Sequence, residues 1–471
     1  MFETVFVKPL PTPSDSQPVE IRFKSGVVSL KVLMAIGPID RGSACKMALC
    51  LLVALSGTAA GQTPRKSPST RTASSSSRPA AKDANQGEQP QSCRVQQVTA
   101  FPGSHQFATD FIETIATDPD ANGDDPAVIW GLTADLSESV PTQQRAMYIS
   151  KSTDGGATWA PIARVDSRYF NAQIAEGLRN GLAVVPGGEE FVITTQRGAF
   201  QVLPQADSNQ PVVRPISGPR VPESSPRIPI PKKSGEPVRA NIVAITADGQ
   251  RMIIGYGYFD LEPQLFEYHR GDDGTWIEDG PLPPLPTDMD LLSIQFDDPQ
   301  NPDPGFVYVG TGDQAYVLNL RTKKWGRVHG VGPDSAIHAM SVAGGLHIAA
   351  CWGIYNPAGP GIVRRVVNAH FLLHRMSDET GSNLRTYGID VDASRPNREV
   401  ITSITGVYVS ADSGESWRRL SDLPDGEYRS VHFNADGTVI VSGIPGTFLV
   451  KPFSEACAPR LRVRQRSPLH N

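Results

Sequence analysis

The stretch "SKSTDGGATW", Ser150 to Trp159, sits between two β-rich runs and asks whether it marks chemistry or a turn. Its centre reads Ser152-x-Asp154-x-Gly156-x-Thr158-Trp159, and "SADSGESW" repeats the spacing as Ser410-x-Asp412-x-Gly414-x-Ser416-Trp417. A shorter version, "GDDGTW", runs from Gly271 to Trp276. An Asp between two β runs folds its carboxylate back on backbone N–H groups, and Gly supplies the positive φ of a tight turn. Each stretch is therefore predicted as a hairpin loop, with its Trp packed between sheets.

Around these loops a larger pattern recurs: a β-rich run, an acidic or glycine turn, then further β-rich runs, often closed by Trp. It is seen in "FIETIATDPDANGDDPAVIWGL", "GLAVVPGGEEFVITTQRGAF", "NIVAITADGQRMIIGYGYF", "LLSIQFDDPQNPDPGFVYVGTG", "IDVDASRPNREVITSITGVYVS" and "VHFNADGTVIVSGIPGTFLV". "IHAMSVAGGLHIAACWGIY" is a looser seventh copy. A unit of about 50 residues repeated about seven times is the spacing of a β-propeller, whose four-stranded blades bury their faces only by stacking in a ring. The fold class is thus all-β, a propeller of seven blades, with six as the alternative count. The last copy, Tyr428 to Pro452, has three β runs, and the orphan run "CRVQQV", Cys93 to Val98, lies at the other end. Pairing Arg94 to Val98 as the outer strand of the last blade closes the ring and leaves no long sheet edge.

The loop pattern resembles the Asp-box, or bacterial neuraminidase repeat, of sialidases, other glycosidases, sortilin-type receptors and a photosystem II assembly factor. The resemblance implies that Ser152, Asp154, Gly156, Trp159, Ser410, Asp412, Gly414 and Trp417 are structural, on the blade periphery and remote from any active centre. It identifies a scaffold, and a scaffold does not imply a function.

The one long apolar run, "MALCLLVALSGTAAG", Met47 to Gly61, has Arg41 and Lys46 before it and small residues at its end, the three parts of a secretory signal. It is too short for a stable membrane span. Residues 1–61 are read as an export region with cleavage near Ala60 or Gly61, with Met34 or Met47 as alternative starts, which predicts a secreted or periplasmic chain without a membrane span once mature. Residues 62–92, rich in Ser and Pro, are expected to form a tether, residues 93–460 the propeller, and residues 461–471 a flexible tail. Cys93 and Cys457 then bracket the folded region, and in an oxidising compartment they are expected to form a disulfide. Cys351 is left as a small buried hydrophobe. A formal net charge of -5 gives no basic footprint for nucleic acid.

Propeller ligands sit at the channel mouth, so the informative residues begin each innermost strand. Those starts offer Asp110 and Glu113, Arg179 and Asn180, Arg239 and Asn241, Asp288 and Asp290, His338, Arg385 and Tyr387, and Tyr428 and Arg429. Arg179, Arg239, Arg385 and Arg429 recur at nearly one repeat position, and converging guanidinium groups clamp carboxylates or phosphates through paired hydrogen bonds. Together with Asp290 and His338 they are the candidate ligand-binding residues; the competing reading is a wet channel in which the arginines pair with Asp110, Asp288 and Asp290. The resemblance to sialidases implies an arginine triad, a Tyr nucleophile activated by Glu and an Asp acid/base, for which Tyr428, Glu427 and Asp110 are the candidates. The chain departs from that pattern: "PRIP", Pro226 to Pro229, follows the first loop instead of preceding it. His370 and His374 stand four apart without the Glu of a zinc-binding helix, "GTGDQ" at Gly310 reads as a hairpin turn, and no Gly-x-Ser-x-Gly elbow occurs. No cofactor or metal is expected. The expected function is binding of a ligand or partner at the mouth, an anionic glycan first, with a sialidase-like exo-glycosidase and an assembly factor for exported proteins as alternatives.

Overall fold

The computed structural model describes residues 94–98, 112–118, 128–134, 141, 144–170, 181–206, 208–222, 234–257, 262–332, 335–350, 353–359, 362–368 and 386–451. All of them lie in the unit Ala81–Asn471. The export region, the tether, Cys93, Cys351, Cys457, Asp110, Arg179, Asn180, Arg385, His370, His374, the "PRIP" stretch and the C-terminal tail fall outside the described residues.

Seven four-stranded antiparallel sheets follow one another along the chain. Blade 1 is β2(Thr114–Ala116), β3(Ile129–Ala134), β4(Ala146–Ser152) and β5(Ala160–Asp166); blade 2 is β6(Leu182–Val185), β7(Glu190–Thr195), β8(Gly198–Gln205) and β9(Ser208–Pro215). Blade 3 is β10(Ala240–Ile245), β11(Arg251–Tyr256), β12(Gln264–Arg270) and β13(Trp276–Pro281); blade 4 is β14(Leu291–Phe296), β15(Phe306–Thr311), β16(Ala315–Asn319) and β17(Lys324–Arg327). Blade 5 is β18(Ile337–Ser341), β19(His347–Ala350), β20(Gly353–Gly359) and β21(Ile362–Asn368); blade 6 is β22(Thr386–Val391), β23(Glu399–Ser403), β24(Gly406–Ser410) and β25(Arg418–Arg419). Blade 7 takes β26(Tyr428–Phe433), β27(Val439–Gly443) and β28(Gly446–Lys451) from the C-terminal part and β1(Arg94–Gln97) from the N-terminal part. β1 pairs with β28 over Arg94↔Lys451, Val95↔Val450, Gln96↔Leu449 and Gln97↔Phe448, so the ring closes as the sequence predicts. The "GTGDQ" stretch forms the hairpin turn between β15 and β16.

A blade has no exposed face, so its middle strands read as continuous apolar runs instead of alternating; all residues of β23, β24 and β27 are buried. The core accordingly divides into seven clusters, one between each pair of neighbouring blades. Trp130, Leu132 and Ile149 of blade 1 meet Leu182, Phe191 and Ile193 of blade 2, and Ile112, Ile129 and Trp159 of blade 1 meet Ile440 and Leu449 of blade 7 across the seam.

All three Asp/Gly/Trp loops join the third and fourth strands of a blade, at its outer edge. In the first, Ser152 Oγ donates to Asp154 Oδ1 at 2.9 Å and accepts from Gly156 N at 2.8 Å, while Asp154 accepts from Thr158 N at 2.8 Å and from its hydroxyl at 2.7 Å. In the second, Ser410, Asp412, Gly414 and Ser416 reproduce these bonds at 2.9, 2.8, 2.8 and 2.5 Å. The indole N–H of Trp159 donates to Gly156 O, and that of Trp417 to Gly414 O. Trp159 packs on blade 7 and Trp417 on blade 5. Trp276 of the shorter loop packs on blade 2, so each Trp leans on the preceding blade. A side-chain amide of that preceding blade reaches back to each loop: Asn434 Nδ2 donates to Gly155 O at 2.8 Å, Gln201 Nε2 to Gly274 O at 2.9 Å and Asn356 Nδ2 to Ser413 O at 2.6 Å.

Candidate functional site

The seven innermost strands β2, β6, β10, β14, β18, β22 and β26 line a central channel whose cavity is about 330 Å³. Their starts meet at one end, where Arg429 of β26 touches Glu113 before β2, and their ends at the other, where His432 of β26 touches Asp390 of β22.

Five of these strands carry a β-bulge at their second residue. The pairing with the neighbouring strand skips Asn241, Leu292, His338, Tyr387 and Arg429. A bulge re-aims the side chain of its extra residue, and three of the five, His338, Tyr387 and Arg429, form the cavity wall at the mouth. The rings of His338 and Tyr387 meet edge to face with centroids 5.9 Å apart. Asn241 is buried instead, its amide donating to Gly257 O at 2.6 Å.

Arg429 sits between two carboxylates. Its Nε donates to Glu427 Oε1 at 2.7 Å and one terminal nitrogen to Glu113 at 3.0 and 3.3 Å. Burial works against its charge, but Glu113 and Glu427 more than restore it and hold the guanidinium protonated well above the usual arginine range. Among the described arginines it is the one in the cavity wall. Arg239 is buried just before β10, with its carbonyl accepting from Gly257 N. Asp290 lies half-buried beside β14, and its carbonyl accepts from Gly312 N. Of the expected arginine group the described residues thus bring Arg429 to the mouth, neutralised by acidic partners.

Tyr428 is fully buried in the core between blades 6 and 7, with Phe448 beside it and its hydroxyl donating to Pro424 O at 3.0 Å. Burial pushes its phenol well above the ordinary tyrosine range. In this arrangement the residue of the pair Tyr428–Arg429 that reaches the channel is the arginine. Glu427 is a partner of Arg429 and lies 18% exposed by its side chain.

Two features had no forerunner in the sequence reading. The far end of the channel carries Gln295, Ser341, Asp390 and His432. Between blades 5 and 6, His347, Asn356 and Glu399 form a buried polar cluster, with His347 Nδ1 3.7 Å from Glu399 Oε1 and Asn356 Nδ2 donating to that oxygen. Burial pushes Glu399 up to about 8 and His347 down to about 4, so at neutral pH this is a carboxylic acid beside a neutral imidazole and not an ion pair. Each member of the first group stands three residues after a bulged position, a register the sequence does not mark; the second depends on which blades touch. Among the described residues no group of three or more His, Cys, Asp or Glu is arranged to hold a metal ion, and no helix is long and apolar enough to cross a membrane.

No family model matches the chain, and no curated protein matches it. Among solved structures it is similar to the extracellular domain of BT4673 from B. thetaiotaomicron, at 9% identity over 76% of this chain and 39% of that one, with a TM-score of 0.46. It is similar to YCF48 bound to D1 peptide, at 13% identity over 78% of this chain and 96% of that one, TM-score 0.47. A third is PorZ, a surface component of the type-IX secretion system of Porphyromonas gingivalis, at 15% identity over 73% and 47%, TM-score 0.47. The chain spans less than half the length of the first and third of these. At such identities the likeness concerns the fold.

Proposed function

We propose that the protein is an exported binding propeller without catalytic activity, whose channel mouth takes an extended segment of a protein partner. The observation that carries the reading is the chemistry of the mouth. Among the described residues Arg429 there is already paired with Glu113 and Glu427. Beyond them the wall includes Ile115, Ala183, Val243, Ile294, Ala339 and Ile389, interspersed with Thr114 and Ser430. Among the described residues, an anionic glycan would meet two carboxylates beside Arg429 and would set some of its hydroxyls against aliphatic side chains, an unfavourable burial. A peptide can set small apolar side chains against that wall while its backbone bonds to the rim, with His338 and Tyr387 as aromatic anchors of the kind that dominate interface energetics. The resemblance of the outer loops to Asp-boxes fits a scaffold role for them, and the leader-like segment before Gly61 supports export.

Selection of a random displayed peptide library on the purified protein tests this. A selected peptide is expected to bind saturably and to lose roughly tenfold or more, about 1.4 kcal/mol, in the double variant His338→Ala/Tyr387→Ala, while Asp154→Ala leaves it unchanged. Turnover of a fluorogenic sialoside by the wild type, abolished in Arg429→Ala, would overturn the reading in favour of a glycosidase.

A further inference from the structure

Three residues beyond each bulge, the innermost strands reach a common level near the far end of the channel: Ala244 on β10, Gln295 on β14, Ser341 on β18, Asp390 on β22 and His432 on β26. All five are half-buried and all five line the cavity. Four consecutive blades therefore present polar side chains at one level, facing the small apolar side chains of Ala183 and Ala244 in the wall.

The hydrogen bonding of this level is incomplete in a particular way. Asp390 is tied to the backbone: Oδ1 accepts from Val391 N at 2.8 Å, and Oδ2 accepts from Phe433 N at 2.8 Å and lies 3.2 Å from His432 Nδ1. That contact places the His432 ring at the same level as Asp390, with Nε2 on the side of the ring away from the carboxylate. Among the described residues, Nε2 of His432, the amide of Gln295 and the hydroxyl of Ser341 have no hydrogen-bond partner. At the mouth, by contrast, the described Arg429 is paired with Glu113 and Glu427.

We infer that this level is a second binding site, at the opposite end of the channel from the mouth, for a small neutral polyhydroxylated molecule. Gln295 and Ser341 supply uncharged donors and acceptors beside the His432–Asp390 pair. An anion would approach the Asp390 carboxylate, and a cation would compete with Val391 N, Phe433 N and the His432 ring for its oxygens. A hydroxyl-rich ligand, able both to donate and to accept, instead exchanges bonds with His432 Nε2, the Gln295 amide and the Ser341 hydroxyl, and lays its C–H face on the alanine side of the wall. The channel of which this level is one end has a cavity of about 330 Å³ in all. Free polyols and the non-reducing ends of glycans share this chemistry. The site goes beyond the proposed partner binding and does not depend on it.

The test is calorimetric titration of the full-length protein with myo-inositol, glucose and methyl glucoside as probes, and acetate and methylammonium as charged controls. At least one neutral probe is expected to bind saturably. Gln295→Ala and His432→Phe are each expected to weaken it by roughly tenfold, Ser341→Ala less, and the mouth variant His338→Ala not at all. Binding of methyl glucoside but not of myo-inositol would assign the site to sugar ends, and the reverse to free polyols. The inference is overturned if no neutral probe binds, if a charged control binds more tightly, or if a neutral probe binds with the same affinity in Gln295→Ala and His432→Phe. Because His338→Ala/Tyr387→Ala probes the mouth and Gln295→Ala the far end, failure of one proposal is distinguishable from failure of the other.

Discussion

Gly156 shows why the outer loops tolerate so little change. It takes φ +89, a region that residues with a Cβ rarely adopt, and a Cβ there would lie 2.5 Å from Ile440 Cδ1 of the neighbouring blade. Backbone strain and collision act together, and the collision falls at the seam where the chain closes on itself. Gly156→Ala is expected to destabilise the fold by about 1–3 kcal/mol, read as a shift of the denaturant midpoint without a change in ligand binding. At position 413 the second loop uses Ser at φ 58 where the first has Gly155, so the left-handed conformation is required there but glycine is not. Asp154 is held below the ordinary carboxylate value: its slight burial opposes this, and the bonds from Thr158, Ser152 and Ala157 together outweigh it. Those residues look like a catalytic cluster in one dimension, yet their hydrogen bonds all close within the loop.

Between elements, the interface of blades 5 and 6 carries a pH response that follows from His347 and Glu399. Glu399 is raised from 4.5 to about 8, so the folded chain binds its proton over a range in which the unfolded chain has released it. Stability attributable to this group therefore falls as pH rises from about 4.5 toward 8 and stays lost above. His347 is lowered from 6.5 to about 4, so the unfolded chain takes up a proton that the folded chain refuses, and stability is lost as pH falls from 6.5 toward 4. The two limbs place the optimum of this interface at mildly acidic pH. A thermal melting series is expected to show the midpoint declining above about pH 6, with Glu399→Gln flattening that alkaline limb; an unchanged limb in the variant would refute the assignment. The sequence signals gave the blades of this interface, since "VITSITGVYVS" is plainly two strands and a turn. They gave no hint of the cluster, because His347, Asn356 and Glu399 lie on strands of two different blades and meet only when those blades stack.

At the scale of the whole molecule, the ring is held shut by strand β1. Val95 packs on the core between blades 6 and 7, Val98 joins the seam core, and the backbone of β1 covers the edge of β28. Without it, blade 7 presents an unpaired edge, a template for association with other chains. A chain lacking residues 94–97 is expected to unfold at lower denaturant and to self-associate, measured by sedimentation; a monomer with wild-type stability would contradict the closure argument. The expected bond between Cys93 and Cys457 would fasten the same seam. Peptide mapping without reductant checks it, with both thiols free as the adverse result.

Turn chemistry and repeat spacing determined the radial architecture and its blade order, because every blade except the one completed by β1 is a local meander whose strands pair with their sequence neighbours. They also located the starts of the inner strands, and so brought His338, Tyr387 and Arg429 into view. What only the tertiary structure decided is which member of each adjacent pair reaches the channel and what it meets there. A single bulge turns Arg429 inward and leaves Tyr428 in the core, and the partners that neutralise Arg429 include a glutamate 316 positions away across the seam. Such contacts depend on register and on ring closure, and neither leaves a periodic trace in the sequence.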